Sequence, residues 1–281
     1  MRLVCSCPDR PGIVAAVSGF LYQIGANITV LDQHSSDPRE GDFFMRLEFE
    51  LAGGVSNQEG LSREFGQEVA RRFGMSYRIS LAAARPKATI LVSREDHALL
   101  ELLWRWRRGE LAADFELVIS NHSDLQVAVE GLGIPFRYIP NGPESRTQAE
   151  IAMLKALAGH DQLIVLARYM QVLSADFVAH YPGRIINIHH SFLPAFAGAQ
   201  PYRQAWERGV KLIGATAHYV SAELDSGPII EQDVARVSHR DQVRDLVSLG
   251  RDLERQVLAR AVRWHLEDRV IVHGRRTVVF R

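Results

Sequence analysis

"RIINIHHSFLPAF", residues 184–196, carries three isoleucines around Asn187 and then stops abruptly in His189, His190 and Ser191. An apolar run without strict polar alternation suits a strand covered on both faces, as in parallel sheets flanked by helices. "ATILVS" (88–93), "FELVIS" (115–120) and "QLIVLA" (162–167) have the same character, and the stretches between them read as helices. The chain from residue 83 to residue 281 therefore reads as an α/β domain around a mostly parallel, Rossmann-like sheet. "LIGATAHYV" (212–220) and "PIIEQDV" (228–234) extend that sheet, a long helix follows over 240–266, and "VIVHGRRTVVF" (270–280) reads as a terminal hairpin.

The rhythm before it is different. "RLVCSC" (2–7) reads as a strand, and Ile13, Val17, Phe20, Leu21 and Ile24 then recur at helical spacing up to Gly25. "ANITVLDQH" (26–34) and "DFFMRLEFEL" (42–51) are strands; in the second, Phe43, Met45, Leu47, Phe49 and Leu51 face one way and Arg46, Glu48 and Glu50 the other. Pro38 and Gly41 mark the turn between them. A helix with Leu61, Phe65, Val69 and Phe73 ends at Gly74, and "MSYRISL" (75–81) closes a β-α-β-β-α-β, ferredoxin-like order. The expected division is residues 1–82 and 83–281, with "AAARPK" (82–87) as linker.

Composition narrows the function classes. Lys plus Arg and Asp plus Glu both number 33. No basic footprint for nucleic acid or an acidic membrane surface results. No apolar run approaches the roughly 20 residues of a membrane span, and the N-terminus lacks a signal-peptide pattern; a cytoplasmic location is expected. The two cysteines, Cys5 and Cys7, are two apart on a strand, roughly 7 Å between Cα atoms, outside disulfide geometry. Both read as small buried hydrophobes. "LLWRWRRGE" (102–110) interleaves arginine with tryptophan, but Leu99, Leu102, Leu103 and Trp106 share one helical face and the arginines crowd the last turn, where cations complement the helix dipole.

Ligands of open parallel sheets bind outside the carboxyl ends of the strands. There stand Asn121 and His122, then Asn187, His189 and His190, and in "SAELDSGPII" (221–230) Asp225. On a strand, residues 187 and 189 face the same side. A neutral carboxamide at 187 can donate to an oxyanion, a contribution of about 10²- to 10³-fold in rate. His189 can exchange a proton near neutral pH. Asp225, before Gly227 and Pro228, can orient a water or raise the histidine's pKa. Three readings compete: a metal site, a catalytic cluster and structural histidines. Adjacent histidines diverge rather than chelate together, which weakens the metal reading; Ser191 lacks a Gly-x-Ser-x-Gly elbow, which weakens a serine nucleophile.

"NIHHSFLPAF" followed by "LDSGPII" resembles the folate-dependent formyltransferase fold, whose pattern is Asn-x-His in a segment ending Leu-Pro and a later Asp-x-Gly-x-Ile-Ile. The resemblance makes Asn187, His189 and Asp225 the catalytic residues. It implies a folate site at "LARYMQVLS" (166–174), around Met170, Gln171 and Leu173, with Ala222, Glu223, Leu224 and Gly227 covering the pterin's other side. Gln171 stands where several members have arginine. Thr216, His218 and His190 match as supporting residues. "CPDRPGIVAAVSGFL" (7–21) is similar to an ACT domain, which implies an amino-acid effector near Asp9, Gly12 and Asn27, of the kind of methionine or glycine, with a surface for dimerisation only as the alternative, and a homo-oligomer. An ACT domain before a formyltransferase domain resembles the 10-formyltetrahydrofolate deformylases. That implies hydrolysis of 10-formyltetrahydrofolate to tetrahydrofolate and formate, supplying formate for purine biosynthesis. The folate is then substrate, and neither cofactor nor metal is required.

One stretch bears on the acceptor. Relatives that formylate glycinamide ribonucleotide cradle its phosphate in a Gly-rich loop after the first strand. Here "ATILVSREDHALLELL" (88–103) has no glycine and carries Glu95 and Asp96. The competing classes are a formyltransferase to such an amine and a non-catalytic amino-acid sensor; the trio Asn187, His189 and Asp225 speaks against the sensor.

Overall fold

The computed structural model describes residues 1–37, 39–53, 57–142, 144–160, 162–194 and 201–281. Pro38, of the expected turn, and the residues Ala195 and Phe196 of the quoted stretch lie outside them. The chain forms two compact units, Met1–Ala84 with Glu267–His273 and Val278–Arg281, and Arg85–Leu266 with Gly274–Thr277. The expectation that everything after residue 83 belongs to the second domain is therefore corrected at the C-terminus.

The first unit holds β1 (Arg2–Pro8), α1 (Ile13–Gln23), β2 (Ala26–Ser35), β3 (Asp42–Leu51), α2 (Gln58–Phe65), a π-helical turn (Gly66–Ala70), α3 (Arg71–Phe73) and β4 (Ser76–Ser80). Its sheet has the order β2-β3-β1-β4. Every pairing is antiparallel. Leu3, Cys5 and Cys7 of β1 pack with Phe43, Met45, Leu47 and Phe49 of β3 and with Val17, Phe20, Phe65 and Phe73 of the helices. Both cysteines are free and buried, and burial pushes the Cys5 thiol up to about 12. Part of the opposite face is covered, although the alternation suggests an open one. Arg46 is fully buried, donating through Nε and Nη2 to the Glu267 carbonyl at 3.2 and 2.9 Å. Asp268 accepts from Arg78 and, at 2.6 Å, from the Ser80 hydroxyl. A sheet face rich in arginine needs carboxylates and carbonyls over it once it is covered, and the C-terminal segment supplies them.

The second unit holds β5 (Lys87–Val92), α4 (His97–Arg107), β6 (Asp114–Ser120), α5 (Gln126–Glu130), β7 (Phe136–Tyr138), α6 (Arg146–Leu157), β8 (Leu163–Ala167), α7 (Ala175–Ala179), β9 (Ile185–His189), α8 (Pro201–Glu207), β10 (Leu212–Tyr219), β11 (Ile229–Arg236) and α9 (Val243–Leu266). The strand order is β11-β10-β9-β8-β5-β6-β7. The five strands β9, β8, β5, β6 and β7 are parallel, whereas β10 runs antiparallel to β9 and β11 to β10. Strands β5 and β8 are buried nearly throughout, which accounts for their unalternated composition. The order turns at the β5–β8 boundary, so the loops leaving those strands open a crevice. The closing strands β12 (Val270–His273) and β13 (Arg276–Val279) pair with each other.

Candidate active site

A cavity of about 290 Å³ lies at the carboxyl ends of β8 and β9, lined by three segments: Leu166 and Arg168–Leu173 at and after β8, Asn187–His190 at and after the end of β9, and His218 with Val220–Asp225 at and after β10. Hydrophobic side chains stand exposed at its lips: Met170 at 53%, Val172 at 53% and Leu224 at 66%. Exposed apolar groups lining a cavity of this size fit a flat aromatic ligand.

The polar centre is a four-residue cluster. Asn187 and His189 share one face of β9, and β10 sets His218 opposite Asn187 and Thr216 opposite His189. His218 Nδ1 lies 2.9 Å from the Tyr219 carbonyl, which fixes a proton on that nitrogen and turns Nε2 toward Asn187 Nδ2 at 3.2 Å. Asp225 closes the cluster, with Oδ2 3.2 Å from His189 Nδ1 and Oδ1 3.6 Å from His218 Nε2. His189 first, then His218, holds its carboxyl well below the usual carboxylate range, against the opposing effect of burial. His189 Nε2 is buried without a hydrogen-bond partner among the described residues.

Because β10 is antiparallel, the loop after it starts beside Ile185, with the Val220 N–H donating to the Ile185 carbonyl at 2.9 Å. It must fold back to bring Asp225 to the end of β9. Two backbone features do this. Asp225 itself is left-handed, φ 51°, a conformation aspartate tolerates better than most residues. Gly227 lies so close to the preceding strand that a Cβ would fall 1.7 Å from the Tyr219 carbonyl oxygen.

Each residue singled out in the sequence has a definite place. Asn187, His189, His190, His218, Met170, Gln171, Leu173, Ala222, Glu223, Leu224 and Asp225 all line the cavity. Gly227 instead shapes the loop from behind. Thr216 is buried, donating to the Ser191 carbonyl at 2.9 Å and accepting from the Leu193 N–H at 3.1 Å and Gln232 at 2.9 Å; it anchors the chain after His190. The strand-end pair Asn121 and His122 does not join the wall. Asn121 works one step back: it accepts from the Ser93 hydroxyl at 2.7 Å, and the Ser93 oxygen accepts from the Met170 N–H at 3.0 Å. In the first unit, Asp9 takes a hydrogen bond from Ser35, Gly12 is left-handed at the start of α1, and Asn27 is exposed on β2.

His190 stacks on His189 with ring centroids 5.0 Å apart. Burial, then the Arg168 charge, push its pKa down to about 4. Reading by residue type missed Arg168 and the buried Glu254 that pairs with it at 3.4 Å. A signal existed for the latter: Leu246, Gly250, Leu253, Val257 and Leu258 form the buried stripe of α9, and Glu254 interrupts it. Among the described residues, no group of three or more His, Cys, Asp or Glu side chains is arranged to hold a metal ion.

Comparison with known proteins gives this geometry a lineage. The formyl transferase family matches residues 86–262 and the ACT domain residues 1–52. Formyltetrahydrofolate deformylase of Bacillus subtilis (strain 168) is 54% identical over 280 residues, covering 99% of this chain and 93% of its own. The crystal structure of a formyltetrahydrofolate deformylase from Pseudomonas syringae superposes with a TM-score of 0.94 at 49% identity, covering 100% of this chain and 94% of that one. Glycinamide ribonucleotide transformylase 1 from Symbiobacterium toebii is more distant, with a TM-score of 0.65 at 32% identity over 70% of this chain and 95% of its own. The chain belongs to the formyltetrahydrofolate deformylase family, an ACT domain joined to a formyl transferase domain.

Proposed function

We propose that this protein hydrolyses 10-formyltetrahydrofolate to tetrahydrofolate and formate in the cavity between Met170 and Leu224. The observation that carries the reading is the contact of His189 with Asp225 beside Asn187, in a chain homologous to deformylases along its whole length. The pterin lies between the apolar lips, and the formyl group reaches the polar cluster. Asp225 accepts a hydrogen bond from the attacking water and aligns it. Its depressed pKa makes it a weak base alone, so the proton released on attack passes to the Asp225–His189 pair. Asn187 and His189 stabilise the oxyanion. The C–N10 bond then breaks, N10 takes a proton from His189, and formate leaves. The folate is consumed as substrate, and the steps call for no cofactor or metal.

Transfer to a phosphorylated amine is the poorer reading. The loop where that phosphate would sit presents Glu95, which is tied to Arg251 at 2.6 Å, and His97, which is tied to Glu254 at 2.8 Å. The discriminating assay is formate release with no amine present. Steady multiple turnover supports the hydrolase; turnover that begins only when glycinamide ribonucleotide is added overturns it.

The first unit is read as a regulatory module binding a small amino acid at Asp9, Gly12 and Asn27, and as the site of homo-oligomer formation. Edge strand β2 leaves Val30 and Leu31 exposed, which supports the latter. Two buried free thiols fit a reducing cytoplasm. No described helix is long and apolar enough to cross a membrane.

A further inference from the structure

Arg168 follows β8 in the left-handed conformation, φ 63°, which a residue with a long side chain adopts only when its surroundings demand it. It opens the turn that lines the cavity through Leu173. Three contacts clamp the backbone of that turn: the Ser93 N–H donates to the Arg168 carbonyl at 3.2 Å, the Met170 N–H donates to Ser93 Oγ at 3.0 Å, and the Ser174 N–H donates to Glu150 at 2.7 Å. The side chain of Arg168 is held separately. Its Nε lies 3.4 Å from Glu254 Oε2, while Nε and Nη1 are buried with no hydrogen bond among the described residues. Its charge is thus compensated chiefly by one carboxylate.

Glu254 is 1% exposed and lies outside the cavity wall. His97 Nε2 approaches it at 2.8 Å and the Tyr202 hydroxyl donates to it at 2.7 Å. Gly250, one turn earlier on α9, makes room: a Cβ there would lie 2.0 Å from the Tyr202 hydroxyl. Tyr202 in turn faces His190, ring centroids 6.2 Å apart. Burial opposes ionisation of Glu254, yet His97, Arg168 and Tyr202 keep its pKa below the ordinary glutamate value. A buried carboxylate behind the wall therefore connects two of its residues, Arg168 and His190.

We propose that Glu254 is a positioning residue: through Arg168 it holds the turn Arg168–Leu173 in the shape that receives the folate. It touches no reacting atom. Removing its charge leaves the Arg168 guanidinium buried and uncompensated, and the left-handed turn loses the partner that keeps the side chain in place. This inference rests on the folate reading of the same cavity.

The test is a cycle of Glu254→Gln and Arg168→Gly, with KM and kcat for formate release and the thermal midpoint measured on each full-length protein. Glu254→Gln is expected to raise KM about tenfold with kcat within about threefold. In the Arg168→Gly background, where no guanidinium needs a partner and glycine accepts the left-handed φ, the same change should leave KM within about twofold. A merely structural carboxylate would carry an equal penalty in both backgrounds, and that result would overturn the proposal. Arg168→Ala against Arg168→Gly tests the turn with Glu254 untouched, should Glu254→Gln fail to fold. A larger KM for the alanine variant supports the left-handed constraint, and equal values overturn it. The thermal midpoints need no substrate. Coupling of the thermal midpoints between positions 168 and 254 in a protein that turns over no folate would overturn the assigned function and leave only the tie between Glu254 and the Arg168 turn.

Discussion

His189 Nδ1 and Asp225 Oδ2 lie 3.2 Å apart, and the contact exists only because Asp225 occupies a left-handed conformation in a loop folded back over the sheet. Charge and backbone shape at residue 225 are therefore separable. Asp225→Asn keeps the shape, since asparagine also accepts the left-handed region, but removes the charge. It should lower kcat by about 10²- to 10⁴-fold while leaving KM within a few-fold, checked by steady-state formate release and by tetrahydrofolate binding.

The ionisation of Asp225 has a sign that stability measurements can read. Its folded pKa is depressed below the unfolded value, so the stabilisation that the ionised carboxylate draws from its contacts is fully present above about pH 4 and is lost as pH falls further. The stability advantage over Asp225→Asn should shrink as pH falls below about 4. Denaturant titrations of both proteins across that range would show it; an advantage that grows on acidification would be contrary.

His190 is adjacent to His189 but differs in state. With its pKa pushed down to about 4, it is neutral throughout the working range. His190→Gln should keep the wild-type midpoints of the kcat/KM profile between pH 5 and 9, with a rate loss under about tenfold. His189→Gln should lose about 10²-fold or more. Parallel pH–rate profiles decide between the two histidines.

Gly227 makes a sharper prediction than its place in a surface loop suggests. An added Cβ collides with the Tyr219 carbonyl, so Gly227→Ala must move the loop that carries Asp225. The expected cost is about 2–4 kcal/mol of stability together with a kcat loss resembling that of Asp225→Asn. Thermal unfolding and formate release measured on one preparation would check both.

How far the sequence reveals this molecule depends on the range of each interaction. Asn187 and His189 are readable because a strand forces residues two apart onto one face, and the parallel core because β5 and β8 are apolar without alternation. Asp225 stands among the strand-end candidates by its place in the loop after β10, and the resemblance of its motif singles it out from them. Three features escape because they depend on partners remote in sequence. Arg46 alternates like a solvent residue, yet the Glu267 carbonyl covers it. The antiparallel direction of β10, which forces the loop to fold back, leaves no mark in "LIGATAHYV". His122 ends a strand as His189 does, but the turn after β8 and the loop after β10 converge on β9, leaving it out of the wall.

The central claim, that water is the nucleophile at this site, is most directly tested by turnover of 10-formyltetrahydrofolate in ¹⁸O-labelled water with mass analysis of the formate. One solvent-derived oxygen in each formate released, with no amine present and with release lost in the Asp225→Asn variant, is the predicted result. Formate without label, or none until an amine acceptor is supplied, would contradict it.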